Sequence, residues 1–528
     1  MTHPDRTDLD SQPAAAPDPA EFRSILDGTG EAELASSRQP SCFRDLNLDQ
    51  LVEAVLANRR EYELEPFFHR PLRTVDAVAY RHEVFRDLER EDVRAAVEAF
   101  AERERGVRRR LTLAETQHYG YERQRWLLDA AADYCRAITD LRDALAGLDL
   151  GSRGLRAWRD WLIGYTSSPP FTSLQADTGR VLDGLAEVRY ALRIKGLRVT
   201  VGAYEGEPDY SVEIGETFAR FRQGQVDQHL LEIPDAGSMD HVEAQIVQRV
   251  ARLHPKEFKA LGDFCKRHEG FVVSEVARFE REIQLYLAWL ELLERLASCG
   301  SAFCYPEVSV GSKRVLAESA VDMALAEKLA RDGGRPVPND FSLAGAERIL
   351  VVSGANQGGK TTFARMFGQL HYLAGLGLPV TARSARLFLA DGLHTHFERG
   401  EDITTLRGKL EDELVRVREI LDAATGQSVV ILNEIFASTT LDDATFLGAE
   451  VLNRILALDC LAVCVTFLDE LSALGEATVS MVAQVEPDDP SRRTFEIVRR
   501  SADGRAYAWA LAEKYGLSYE RLRSRIDR

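Results

Sequence analysis

Eight consecutive residues carry the most specific chemistry in this chain: Gly354, Ala355, Asn356, Gln357, Gly358, Gly359, Lys360 and Thr361. They satisfy the pattern GxxxxGK followed by Ser or Thr in full. Glycines let successive backbone N–H groups turn inward around a phosphate. Lys360 brings a mobile point charge to the β- and γ-phosphates, and the Thr361 hydroxyl is a hard oxygen ligand for Mg²⁺. A helix starting here, with Thr362 in its first turn, points its positive end at the anion. The expected ligands are ATP and Mg²⁺.

A phosphate loop needs an acid on a neighbouring strand, close to the metal and the attacking water. The stretch SVVILNE (428–434) supplies four apolar residues ending in Asn433 and Glu434. Glu434 is the candidate catalytic residue, polarising a water against the γ-phosphate. Asn433 stands where such strands usually carry Asp. Its amide keeps an acceptor for the metal's water but lacks the charge, and losing a charge-assisted hydrogen bond costs about 1–3 kcal/mol. Slow turnover and weaker use of Mg²⁺ are therefore expected.

These groups need elements to place them. Apolar, β-branched runs at 349–353, 429–432, 461–466, 479–485 and 494–498 read as strands, with helical stretches between several of them. The first leads directly into the phosphate loop. This alternation is the pattern of an α/β nucleotide-binding domain.

Upstream the texture differs. Residues 1–40 hold five of the eighteen prolines and read as a disordered tail, with order beginning near Phe43. No proline falls between Pro71 and Pro169, and that stretch is rich in helix formers. Short alternating runs near 197–201 and 210–214 suggest a small β insertion at about 196–232. Val272, Val276, Phe279, Ile283, Leu287, Leu290 and Leu293 recur at spacings of three or four. They mark one helix of roughly 40 Å, either a lever or a core helix of a large bundle. The predicted division is a tail (1–40), a helical domain (41–300) and an α/β ATPase domain (301–528).

The formal charge of −18 argues against a protein coated in positive charge, though phosphate contacts depend on local patches. Arg103, Arg105, Arg108, Arg109 and Arg110 form the densest basic run, and Lys266-Arg267-His268 a second. Each is either a DNA-phosphate stripe or a solvated helix face. Seven cysteines form no CxxC pair, which fits reduced thiols in a cytoplasmic protein. No apolar run is long enough to span a membrane. His371, His394 and His396 have no ligand partner at useful spacing.

Several blocks make the chain resemble the MutS family of DNA mismatch-repair ATPases. PVPNDFSL (336–343) followed by ILVVSGANQGGKTT (349–362) looks like that family's VPND…TGPNMGGKST. NEIFASTTLDD (433–443) is similar to DEIGRGTSTxDG, VTFLDEL (465–471) to ATHYxEL, and AYAWALAEKYGL (506–517) to SYGxxVAxxAGLP. More weakly, EPFFHRPL (65–72) resembles the start of the family's helical core, and the stripe ending at Leu293 its returning lever.

The resemblance implies an ABC-type P-loop ATPase head that forms a homodimer over nucleotide, engages DNA and has no membrane attachment. It also implies that Asn339 meets the adenine ring. There are departures. Phe467 replaces the family's His, and Phe436 and Ser438 replace glycines. Gly408 replaces a Ser that acts in trans, so that Lys409 is either a contact to a partner's γ-phosphate or a solvated helix residue. The mismatch-reading N-terminal domain has no counterpart here. An ABC-type ATPase acting on a protein, and a nucleotide-binding scaffold with little hydrolysis, are the alternatives.

Overall fold

A computed structural model describes residues 22–28, 38–196, 198–207, 239–398, 408–489 and 492–502. Their contacts divide them into two compact units that are discontinuous in sequence. This differs from the linear division at residue 300, because the described residues of 23–89 belong with the α/β part. Those residues are helical, so their local texture groups them with the helical domain. Their contacts do not: the Gln369 amide donates to Leu46 O at 2.9 Å, and the Tyr372 hydroxyl donates to Phe68 O at 2.8 Å.

The helical unit contains the described residues of Phe22, Arg90–Leu150 and Arg156–Glu280. Its longest members are α1 (Glu91–Thr116) and α2 (Gly120–Ala146), which pack along each other. In α1 the buried residues Val93, Val97, Phe100, Glu104 and Val107 recur at helical spacing, which gives one inward stripe. Trp158 is fully buried and stacks on Phe279 with ring centroids 4.1 Å apart. A two-stranded ribbon, β1 (Tyr190–Lys195) and β2 (Arg198–Ala203), is antiparallel and mostly exposed. The expected β insertion thus starts earlier than 196. The second expected strand, at 210–214, lies outside the described residues.

Helix α3 (Ser274–Ser298) matches the striped helix expected at 270–297. It is buried on several faces at once: Leu285, Tyr286, Trp289 and Leu292 are as buried as the stripe residues Ile283 and Leu293. Its polar residues Glu282 and Gln284 are buried as well, so its middle is enclosed as in a core helix.

The mixed unit contains the described residues of 23–89, Gly151–Leu155 and 281–502. Chain order gives β3 (Glu307–Ser309), β4 (Val315–Ala320), helix α4 (Met323–Arg331), β5 (Asn339–Leu343), β6 (Ile349–Gly354), helix α5 (Lys360–Gly375), β7 (Ser384–Phe388) and β8 (Leu393–His396). Then come α6 (Lys409–Ala423), β9 (Val429–Asn433), α7 (Leu441–Ala457), β10 (Leu461–Val465), β11 (Thr478–Val485) and β12 (Arg493–Arg499). The main sheet has the order β12-β11-β6-β10-β9-β8, parallel except for the edge strand β12. A smaller sheet has the order β3-β7-β4-β5.

The five strands read from the sequence all occur, and all but β12 belong to the parallel part of the main sheet. The interior strands β6, β9 and β10 are apolar on both faces because helices cover both. Val430, Leu432, Ala462 and Cys464 join Val417 of α6 and Leu452 and Ile455 of α7 in one buried cluster. On the opposite face α5 packs against β9 and β10. It comes so close that a Cβ on Gly368 would lie 2.4 Å from Ile431 Cδ1.

Not all of the N-terminal stretch behaves as a tail. Ile25 and Leu26 are fully buried, Ser24 Oγ donates to the buried Glu282 at 2.9 Å, and Arg81 Nε donates to Leu26 O at 2.8 Å. This corrects the expected onset of order at Phe43. Ser24, Ile25 and Leu26 are hidden in the sequence by their Pro- and Ala-rich surroundings. Among the described residues no helix is long and apolar enough to cross a membrane.

A candidate nucleotide site at the ends of the parallel strands

In a parallel sheet flanked by helices, ligands bind beyond the carboxyl ends of the strands. The loop after β6 lies there. Gly354 and Gly359 have φ of 102° and 91°, the left-handed region that glycine tolerates. Gly358 is needed for space: a Cβ would meet Ala355 O at 2.8 Å and Ala483 Cβ at 3.0 Å. Helix α5 starts directly after Gly359 with no side-chain cap, so its first amides remain available to an anion.

Lys360 is buried and folds back over its own loop. Its Nζ donates to Gly354 O at 2.9 Å, to Asn356 Oδ1 at 3.0 Å and to Ala355 O at 3.4 Å. Burial draws the ammonium below its ordinary range, the Glu434 carboxylate pulls the other way, and Arg493 adds to the depression. Asn356 O in turn accepts from Arg493 Nε at 2.9 Å. A phosphate arriving at Lys360 offers a better acceptor than these carbonyls.

Two strands away, β9 ends in Asn433. Its side chain is buried, and its Oδ1 makes no hydrogen bond with any described residue. A buried carbonyl oxygen without a donor is unusual, and it fits a hard cation or a water held by one. Glu434 follows with φ of 53°, and its amide donates to Val465 O at 2.8 Å.

One cavity of about 500 Å³ collects these groups. Gln357, Gly359, Lys360, Thr361, Thr362 and Glu434 line its phosphate end. Leu325 and Leu329 of α4, with Arg335, Pro336, Val337, Asn339 and Phe495, line the rest. Of the predicted site residues, Gly354, Ala355, Asn356, Gly358 and Asn433 do not line it. The first four shape the loop or hold Lys360, and Asn433 lies beneath.

Asn339 lines the cavity, yet both ends of its amide are engaged by β12. Nδ2 donates to Phe495 O at 3.1 Å, and Oδ1 accepts from Ile497 N at 2.6 Å. Sequence reasoning missed Phe495, a half-exposed aromatic with φ of 62° beside the phosphate loop. Nothing in its local sequence marks it, because its place depends on β12 being antiparallel to β11.

Other sequence candidates fall into place less dramatically. Arg105 pairs with Glu102 at 3.2 Å, Arg108 with Glu280 at 2.9 Å, Arg110 with Asp133 at 2.7 Å, and Arg103 with Asp140. Arg267 and His268 both meet Asp177, at 2.7 and 2.9 Å. The basic runs are thus largely compensated within the chain. Lys409 Nζ lies 2.6 Å from Glu398, in keeping with a solvated helix lysine.

A mixed α/β unit with a glycine-shaped loop, a buried lysine and a neighbouring acid at the strand ends defines the class of site. Comparison with known proteins agrees. Residues 350–519 match the family described as MutS domain V. The chain is 28% identical to the DNA mismatch repair protein MutS of Symbiobacterium thermophilum over 53% of its own length and 32% of that protein. It is 33% identical to the MutS of Azorhizobium caulinodans over 39% of its length and 23% of the relative. It is 27% identical to the DNA mismatch repair protein msh3 of Botryotinia fuckeliana, over 47% and 24%. Residues 350–519 thus carry a domain of the MutS domain V type. The matched region spans a third or less of each of these relatives.

Proposed function

We propose that this protein is an ATP-binding and ATP-hydrolysing MutS-like enzyme of the ABC type that engages DNA and pairs with a second copy through its ATPase domain. The observation that carries the reading is one cavity shared by Lys360 and Thr361 of α5 and Glu434 beyond β9. The amides of 354–360 and the Lys360 ammonium bind the phosphates. The Thr361 hydroxyl would hold Mg²⁺ and the Asn433 carbonyl a water of that ion, which when bound would neutralise charge on the phosphates. Glu434 accepts the proton of the attacking water, and the apolar walls at Leu329, Val337 and Phe495 receive the nucleoside. Asn339 serves the base end by holding the Phe495 backbone.

An amide at 433 favours slow turnover, so a nucleotide-binding protein with little hydrolysis is the second reading. The test is ATP binding and hydrolysis with Mg²⁺, alone and with homoduplex, mismatched or branched DNA. Lys360→Ala is expected to weaken ATP binding at least tenfold, as loss of a charged hydrogen-bond partner of about 1.5–3 kcal/mol implies. Retention of ATP by Lys360→Ala at unchanged affinity would remove the loop from the account. Binding without turnover, unaltered by Glu434→Gln, would establish the second reading.

A further inference from the structure

The loop that carries Glu434 is bent in a way its residues disfavour. Glu434 and Phe436 both have left-handed backbone angles, φ 53° and 61°, although neither is glycine. Such a bend persists only when its surroundings impose it. Two supports are ordinary. The Glu434 amide donates to Val465 O, and the Ile435 and Phe436 side chains are buried in the cluster beneath α7.

The third support is a charge. Glu413, on α6, is buried, and its Oε2 accepts from the Ser438 hydroxyl at 3.3 Å. The Phe436 amide favours the ionised carboxylate from nearby. Its Oε1 faces His396 Nε2 at 3.7 Å. Arg416 Nη2 lies 2.6 Å from His396 Nδ1 and donates to Phe397 O at 2.9 Å. The same Nη2 lies 3.2 Å from His396 Nε2, so the imidazole sits between Arg416 and Glu413. Burial opposes ionisation of Glu413. His396, Ser438 and the Phe436 amide outweigh it and hold the carboxyl below the usual carboxylate range. Charge-assisted bonds to a buried carboxylate are among the strongest available for fixing a loop.

We propose that Glu413 is a positioning residue for hydrolysis: by holding Ser438 from α6, it fixes the direction in which Glu434 faces the phosphate end of the cavity. The inference rests on the reading of Glu434 as the group that activates water. Displacing a catalytic group by an ångström costs up to about a hundredfold in rate without touching the bonds that hold the substrate.

Steady-state hydrolysis and equilibrium ATP binding of the full chain test it. Glu413→Ala is expected to lower kcat by about tenfold to a hundredfold, with KM and ATP affinity within about twofold. Glu413→Gln keeps an acceptor for the Ser438 hydroxyl and is expected to recover kcat to within about threefold. Unchanged kcat in Glu413→Ala overturns the inference, as does parallel loss of ATP binding and thermal stability. Gln performing no better than Ala overturns the clamp as well. Should Glu413→Ala fail to fold, Ser438→Ala decides: reduced kcat at unchanged KM supports the clamp, and wild-type turnover overturns it. Glu434→Gln in the same assays tests the underlying reading separately, since turnover that survives it removes Glu434 itself.

Discussion

Asn433 concentrates the residue-scale chemistry. A buried amide oxygen with no donor is held at the end of β9 by ladder pairing of Asn433 with Val465 of β10. Replacing the amide by a carboxylate changes few contacts but adds a full charge where a cation would be held. Asn433→Asp is therefore expected to lower the Mg²⁺ concentration needed for half-maximal hydrolysis by about tenfold, the equivalent of roughly 1.4 kcal/mol within the range for a charged hydrogen bond. The measurement is ATPase rate against free Mg²⁺. An unchanged or raised half-maximal concentration would show that Asn433 does not face the metal. Lys360, Thr361 and Glu434 could be named from sequence because each chemical role demands a particular residue type next to a recognisable loop. Glu413, Phe495 and the strand-bound amide of Asn339 could not, since the partners of each lie far away in sequence.

At the scale of elements, the helix that begins at Lys360 must lie close to the strand that ends at Asn433. Gly368 makes that approach possible. A Cβ there would lie 2.4 Å from Ile431 Cδ1 and 2.7 Å from Leu46 Cδ2. Alanine gains about 1 kcal/mol of helix propensity but costs roughly 1–3 kcal/mol in overpacking. Gly368→Ala is thus expected to destabilise the fold by up to about 2 kcal/mol and to reduce ATPase activity by shifting α5. Gly179, on the helix Pro169–Ala186, has nothing within 4 Å of its would-be Cβ, so Gly179→Ala should stabilise by about 0.4–1 kcal/mol. Denaturant unfolding distinguishes the two, and a Gly368→Ala protein as stable as the parent would refute the packing argument. Strand legibility follows the same physics. The buried runs β6, β9 and β10 were readable to within a residue because helices cover both faces. The strands β3 (Glu-Val-Ser) and β8 (Leu-His-Thr-His) are short and half polar, and only their neighbours make them strands.

At the scale of the whole molecule, any engagement of DNA must overcome a net charge of −18. The densest basic run, on α1, does not help, because Arg103, Arg105, Arg108 and Arg110 already neutralise acids of this chain. The ribbon β1–β2 is different. Its register pairs Arg193 with Thr200 and Lys195 with Arg198, so side-chain alternation puts these residues on one face, while Leu192, Ile194, Val199 and Val201 occupy the other. Among the described residues, ion pairing there is confined to a contact of Arg193 with Glu207. With about three phosphates neutralised, the logarithm of affinity should fall against the logarithm of salt concentration with a slope near −3. Replacing Arg193, Lys195 and Arg198 by alanine together should abolish most binding and flatten that slope, whereas Arg103→Ala with Arg105→Ala should leave both unchanged. A slope of about −6 or steeper, surviving the triple replacement, would place the DNA on another surface, because three side chains cannot release that many counterions.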